Sequence, residues 1–297
     1  MSYLKNKRYV IQFISLSLLF LSLIWLLIYL PIHNYNSNRI YDLRAVPQRY
    51  RASLLEEFLV KQYTPNSILL IGDSQANGYR YPTDMVFSTL LAKKLHKKVI
   101  NAAFRGERIQ DNIYTLTLAK KHHMHFDTII YNADPSHPRE PSLHYINWKD
   151  NLNYKIGILK ASNIFAQFSL KFNPTTAPND DIHRYKNLDH YLDMNQTALN
   201  RYLKDLKKLI SLSKSISKNV IIYYTPHCPS EVKRLKLNTK AATMFRNSVE
   251  KICKENNVTF LNPQIVEEKY YKDIVHLNSK GHIKMANILY NTIQKNH

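Results

Sequence analysis

Two short stretches carry the residue types of nucleophilic acyl chemistry. The first, Ser67-Ile-Leu-Leu-Ile-Gly-Asp-Ser74, delivers a serine directly after an apolar run, in a chain with only five glycines. A serine hydroxyl attacks a carbonyl only when a base removes its proton, so the chain must also supply an imidazole and a carboxylate to orient it. The second stretch, Asp273-Ile-Val-His276, supplies both. At that spacing in a turn, the Asp273 carboxylate accepts the Nδ1 hydrogen of His276 and leaves Nε2 to face Ser74. Taken alone, Gly-Asp-Ser is also an ordinary turn and helix-cap sequence.

The developing negative charge of a tetrahedral intermediate needs donors. Gly106 follows the apolar segment VINAAF and Asn132 follows TIIY, so each falls at the end of an expected strand, as Ser74 does. Backbone N–H groups of Ser74 and Gly106, with the Asn132 side-chain amide, are the expected oxyanion hole. No HExxH, CxxC or Cys/His cluster is present, so neither a metal nor another cofactor is expected.

The elements that would position these groups alternate. Strands are expected at 68–71, 98–102, 128–131, 220–224 and 259–261; helices at 84–95, 108–121, 198–212, 231–255 and 279–293. That rhythm is an α/β fold with about five mostly parallel strands, whose carboxyl edge is where open sheets bind ligands. Residues 135–196 interrupt it as a long insertion, rich in aromatics and with the turn cluster PTTAPNDD, either a substrate-binding element or a packed elaboration. Among the remaining histidines, His137 and His144 in the insertion and His227 in TPHCP could border a pocket. His122, His123 and His125 read as a helix C-terminal cluster favoured by the dipole, and His282 as structural.

Gly72-Asp73-Ser74, Gly106, Asn132 and Asp273-Ile-Val-His276 together resemble, in order and context, the SGNH or GDSL-like hydrolase family, from about Ser67 to the C-terminus. The resemblance implies a flavodoxin-like three-layer α/β/α domain. It also implies Ser74 as nucleophile, His276 as general base, Asp273 as its orienter, and Ser74, Gly106 and Asn132 as oxyanion donors. Two departures stand out: Gln75 replaces the usual aliphatic residue after the serine, and the third block reads Tyr-Asn-Ala-Asp rather than Gly-x-Asn-Asp.

Ahead of this domain, residues 9–32 (YVIQFISLSLLFLSLIWLLIYLPI) contain no charge, and about 24 residues at roughly 1.5 Å each would cross a bilayer core of about 30 Å. No Ala-x-Ala-like cleavage site follows, so an uncleaved single-pass anchor is expected. Lys5, Lys7 and Arg8 place the tail 1–8 in the cytoplasm and the remainder outside, although Arg39, Arg44, Arg49 and Arg51 weaken the asymmetry. Residues 33–65 read as a stem with a helix at 47–62, and 66–297 as the catalytic domain. An extracytoplasmic site would permit a bond between the two cysteines, Cys228 and Cys253.

With 42 Lys+Arg against 22 Asp+Glu the net charge is +20, which favours an anionic partner, and the anchor points away from nucleic acid. Anchor and domain together resemble envelope O-acetyltransferases and the teichoic-acid D-alanyl transfer protein. That resemblance implies transfer or hydrolysis of acetyl or D-alanyl esters on a cell-envelope glycan or teichoic acid, with a membrane-bound acyltransferase as a further candidate partner. The alternatives are a noncatalytic scaffold of the same fold, or a lipase or thioesterase.

Overall fold

The computed structural model describes residues 9–24, 51–79, 81–138, 182–183, 185–186, 188 and 191–295. Residues 1–42 and 43–297 form two separate compact units. In the first, residues 9–24 are helical (α1) with their apolar side chains exposed. Among the described residues no helix is long and apolar enough to cross a membrane; the rest of the expected anchor, residues 25–32, lies outside them.

The second unit holds a sheet of five parallel strands: β1 (Ile68–Ile71), β2 (Val99–Asn101), β3 (Phe126–Ala133), β4 (Ser217–Tyr224) and β5 (Thr259–Leu261), in the order β2-β1-β3-β4-β5. The central strands β1 and β3 are buried along their whole length, which is why ILLI reads as an unbroken apolar run rather than an alternating one. Connecting parallel neighbours requires crossovers, and the helices supply them.

Those helices are α2 (Arg51–Gln62), α3 (Ser74–Asn77), α4 (Phe87–Leu95), α5 (Ile109–Lys121), α6 (Gln196–Ile216), α7 (Pro229–Arg234), α8 (Thr239–Glu255) and α9 (Ser279–Lys295). One face of the sheet joins Ile68, Leu70, Ile130, Ile221 and Tyr223 to Phe87 and Leu91 of α4 and to Met285, Leu289 and Ile293 of α9 in a single apolar core. Alternation sends Leu69, Ile129 and Tyr131 to the opposite face, where the Tyr131 hydroxyl meets that of Tyr202 on α6 at 3.1 Å. Helix α6 buries Leu199, Tyr202, Leu206, Leu209 and Ile210, the three-and-four spacing of one helical face. The expected three-layer α/β/α architecture is therefore present.

Two expectations change. The helix expected at 231–255 is two, α7 and α8, with Lys236 in the left-handed region (φ 50) between them. The start of the helix at 84–95 is a 3-10 turn, Thr83–Met85, before α4 begins at Phe87. Cys228 and Cys253 are both buried free thiols, so the bond that an oxidising compartment would permit is not formed. Most of the expected insertion, 139–181 included, lies outside the described residues.

Candidate active site

The chain leaves β1 toward β2 on one side and later returns to β3 on the other. The carboxyl ends of β1 and β3 thus flank the switch point where open sheets of this strand order bind their ligands. Ser74 stands there as the first residue of α3. Asp73 is the cap: its Oδ1 accepts the Gln75 N–H at 2.8 Å. As the first helical residue, Ser74 has a backbone N–H with no intrahelical acceptor. Gly72 makes the turn possible, since its φ is 146 and a Cβ there would overlap Asn132 Oδ1.

The second stretch closes on the first across 202 residues: His276 Nε2 lies 2.9 Å from Ser74 Oγ. On its other side, His276 Nδ1 lies 2.9 Å from Asp273 Oδ2 and 3.0 Å from Oδ1. Asp273 Oδ1 also accepts the backbone N–H groups of Val275 (3.1 Å) and His276 (2.8 Å). Complete burial pushes the Asp273 carboxyl up, but the His276 ring and these N–H donors outweigh it and hold the group below its ordinary range. With Asp273 ionised, Nδ1 donates to it, and the ring is thereby oriented with Nε2 toward the serine hydroxyl. The loop is pinned by a bridge between Tyr271 and Leu277 and by Asn278, whose Nδ2 donates to the Lys269 and Tyr271 carbonyls. The Tyr79 ring rests 5.3 Å from the His276 ring.

Gly106 lies in an exposed turn after β2 with φ 76, a conformation suited to glycine. Asn132 is placed differently from expectation. It is wholly buried; its Oδ1 accepts the Asp73 N–H (2.9 Å), and its Nδ2 donates to Asp73 Oδ1 (2.8 Å) and Thr225 Oγ1 (3.1 Å). Both amide hydrogens are used inside the protein, so this side chain braces the serine turn instead of pointing at a reacting oxygen.

Two residues take roles at this site that the sequence did not assign them. Gln75, which stands where an aliphatic residue was expected, is buried, and its Nε2 donates to the carbonyls of Pro226 (3.3 Å) and Val275 (3.2 Å). It ties the serine turn to the loop that carries His276. His137, expected only to border a pocket, is buried with Nε2 2.8 Å from Asp73 Oδ2. His227 also turns inward, its Nδ1 3.0 Å from the Thr225 carbonyl; His144 lies outside the described residues. His122 pairs with Glu56 of α2 at 2.6 Å, and His282 stacks on Phe87.

A serine with a base and an oriented carboxylate at a switch point is competent for acyl transfer through a covalent intermediate. Comparison with curated proteins gave no match. Among solved structures, the chain is similar to a lipolytic G-D-S-L family protein from Veillonella parvula DSM 2008 (15% identity, 77% of this chain and 98% of the other, TM-score 0.48). It is also similar to a carbohydrate acetylesterase from Sinorhizobium meliloti (11%, 78% and 100%, 0.49). A third likeness is a catalytic mutant of an acetylxylan esterase from Geobacillus stearothermophilus (14%, 78% and 96%, 0.46). The family model for GDSL-like lipase/acylhydrolase matches residues 68–289, three quarters of the chain, and the chain belongs to that family.

Proposed function

We propose that this protein is a serine enzyme that transfers or hydrolyses small O-acyl esters, acetyl or D-alanyl, on a cell-envelope glycan or teichoic acid. The observation that carries the chemistry is the unbroken relay Ser74 Oγ, His276, Asp273, with contacts of 2.9 and 2.9 Å. Nε2 of His276 takes the hydroxyl proton as Ser74 Oγ bonds to the ester carbonyl carbon. The N–H groups of Ser74 and Gly106 hold the oxygen that becomes negative. Collapse breaks the ester bond, the alcohol leaves with the proton from His276, and an acyl-Ser74 remains. Water or a glycan hydroxyl then gives its proton to Nε2 and bonds to the acyl carbon, and Ser74 Oγ leaves with that proton from Nε2, restoring the free serine.

The placement of this chemistry rests on the chain's own composition. The uncharged run 9–32 supports a membrane anchor with the catalytic unit outside, and the +20 charge supports a polyanionic acceptor. A fluorophosphonate probe should label the wild type at Ser74 and leave Ser74→Ala unlabelled; equal labelling of both would remove Ser74 as nucleophile. Envelope-polymer acylation measured with and without the protein separates the two directions. Loss of acyl groups without it marks a transferase, gain marks an esterase, and no change removes the envelope substrate.

A further inference from the structure

Asp73 is buried one residue before the proposed nucleophile, and the hydrogen bonds of its carboxylate go to groups other than His276. Each of its oxygens is occupied from a different direction. Oδ1 accepts the Gln75 N–H of α3 and the Asn132 amide at the end of β3, both at 2.8 Å. Oδ2 faces His137 Nε2 at 2.8 Å, the donor to that oxygen among the described residues. Burial pushes the Asp73 carboxyl up, yet the His137 ring, the Gln75 N–H and the Asn132 amide carry it below its ordinary range, so it is an anion. His137 Nε2 must then donate.

The turn that carries His137 is itself held. The Ser136 N–H donates to Asp134 Oδ1 at 2.7 Å, the His137 N–H to the Asp134 carbonyl at 3.0 Å, and Arg108 Nη1 to the Ser136 carbonyl at 3.3 Å. Arg108 lies two residues beyond Gly106. The imidazole is therefore fixed from the end of β3 and from the loop that supplies an oxyanion donor, and it grips the carboxylate that caps the serine turn. Among the described residues its other nitrogen, Nδ1, is buried without a partner, so within them the ring's hydrogen bonding is directed at Asp73.

We propose that His137 is a positioning residue for the reaction: by donating to Asp73 Oδ2 it holds the carboxylate that fixes the Gln75 N–H, and through it the orientation of Ser74 toward His276. This rests on the reading of Ser74 as nucleophile. Without the ring, a buried carboxylate oxygen loses its donor and Asp73 must rotate or take up a proton, and the cap at the head of α3 loosens. Substrate contacts are untouched, so the loss belongs in kcat and not in KM.

The test uses the full chain with an activated acetyl ester. His137→Leu, which cannot donate, should lower kcat about tenfold or more with KM within about twofold, and should slow fluorophosphonate labelling in parallel. His137→Gln, whose amide reaches like Nε2, should recover most of the activity. A kcat within about twofold of wild type in His137→Leu overturns the proposal, as does a rise in KM with kcat unchanged, which would mark a direct substrate contact. Should His137→Leu fail to fold by circular dichroism, His137→Gln and His137→Asn decide. Gln reaches Oδ2 and the shorter Asn does not, so equal kcat in the two overturns the idea. Ser74→Ala in the same assay keeps the readings apart: activity surviving there removes the nucleophile, whereas an inactive Ser74→Ala beside an unaffected His137→Leu removes only the positioning role.

Discussion

Asp273 and Asp73 are both buried and both ionised, one behind the base and one beside the serine. A carboxyl whose pKa is lower folded than unfolded binds fewer protons in the folded state, so its stabilising contribution is fully present above the unfolded value of about 3.9 and is lost as pH falls through the folded value. The urea midpoint of the wild type should accordingly drop more between about pH 6 and about pH 3 than that of Asp273→Asn, which has no carboxyl to protonate. Parallel drops would show that the carboxylate contributes nothing to acid sensitivity. The residues of this site were unequally legible. Ser74, Asp273 and His276 announce themselves because their chemistry is fixed by type and by spacing within a short segment. The bracing roles of Asn132, Gln75 and His137 depend on how the ends of β1 and β3 approach, and an amide or imidazole reads the same in sequence whether it faces substrate or a buried carboxylate.

The strands were legible to within a few residues because two-sided burial writes them as apolar runs, of which IIY in β3 and VIIYY in β4 are examples. The division between α7 and α8 was not. It falls in Leu235-Lys236-Leu237-Asn238, with no glycine or proline to mark it, and the apolar spacing continues through. What ends α7 is the left-handed Lys236, and what restarts the helix is Asn238, whose side chain accepts the Ala241 N–H at 3.1 Å. Asn238→Ala should therefore cost about 1 kcal/mol of unfolding free energy, read by urea denaturation, with the ester turnover of the folded protein unchanged. A neutral substitution would mean that packing of Phe245, Val249 and Ile252 alone sets where α8 begins.

For the molecule as a whole, charge is the feature that sequence conveys most directly and structure adds to least: an excess of +20 acts at a distance, whatever the fold. If the acceptor is a polyanion, raising salt from about 0.05 M to about 0.5 M should lower kcat/KM for an acylated polyanionic polymer severalfold, since the screening length shrinks from about 14 Å to about 4 Å. The same change should leave a small neutral ester such as p-nitrophenyl acetate nearly unaffected. Equal salt responses would remove electrostatic capture of the polymer. The family followed from four short blocks in order and the five strands from the rhythm of apolar runs, whereas the role of residues 139–181 did not, because their aromatics and turn residues suit a packed elaboration as well as a binding element.

The contact between Ser74 and His276 spans 202 positions, and His276 lies just before α9, whose Met285, Leu289 and Ile293 close one side of the core. A chain growing from its N-terminus makes the serine turn early, yet His276 reaches that turn only once its own loop and α9 have been made and docked. The serine and the imidazole therefore meet only after the residues between them have folded. A cut anywhere between the two stretches that lets α9 come away would separate the pair while leaving each stretch's own sequence intact.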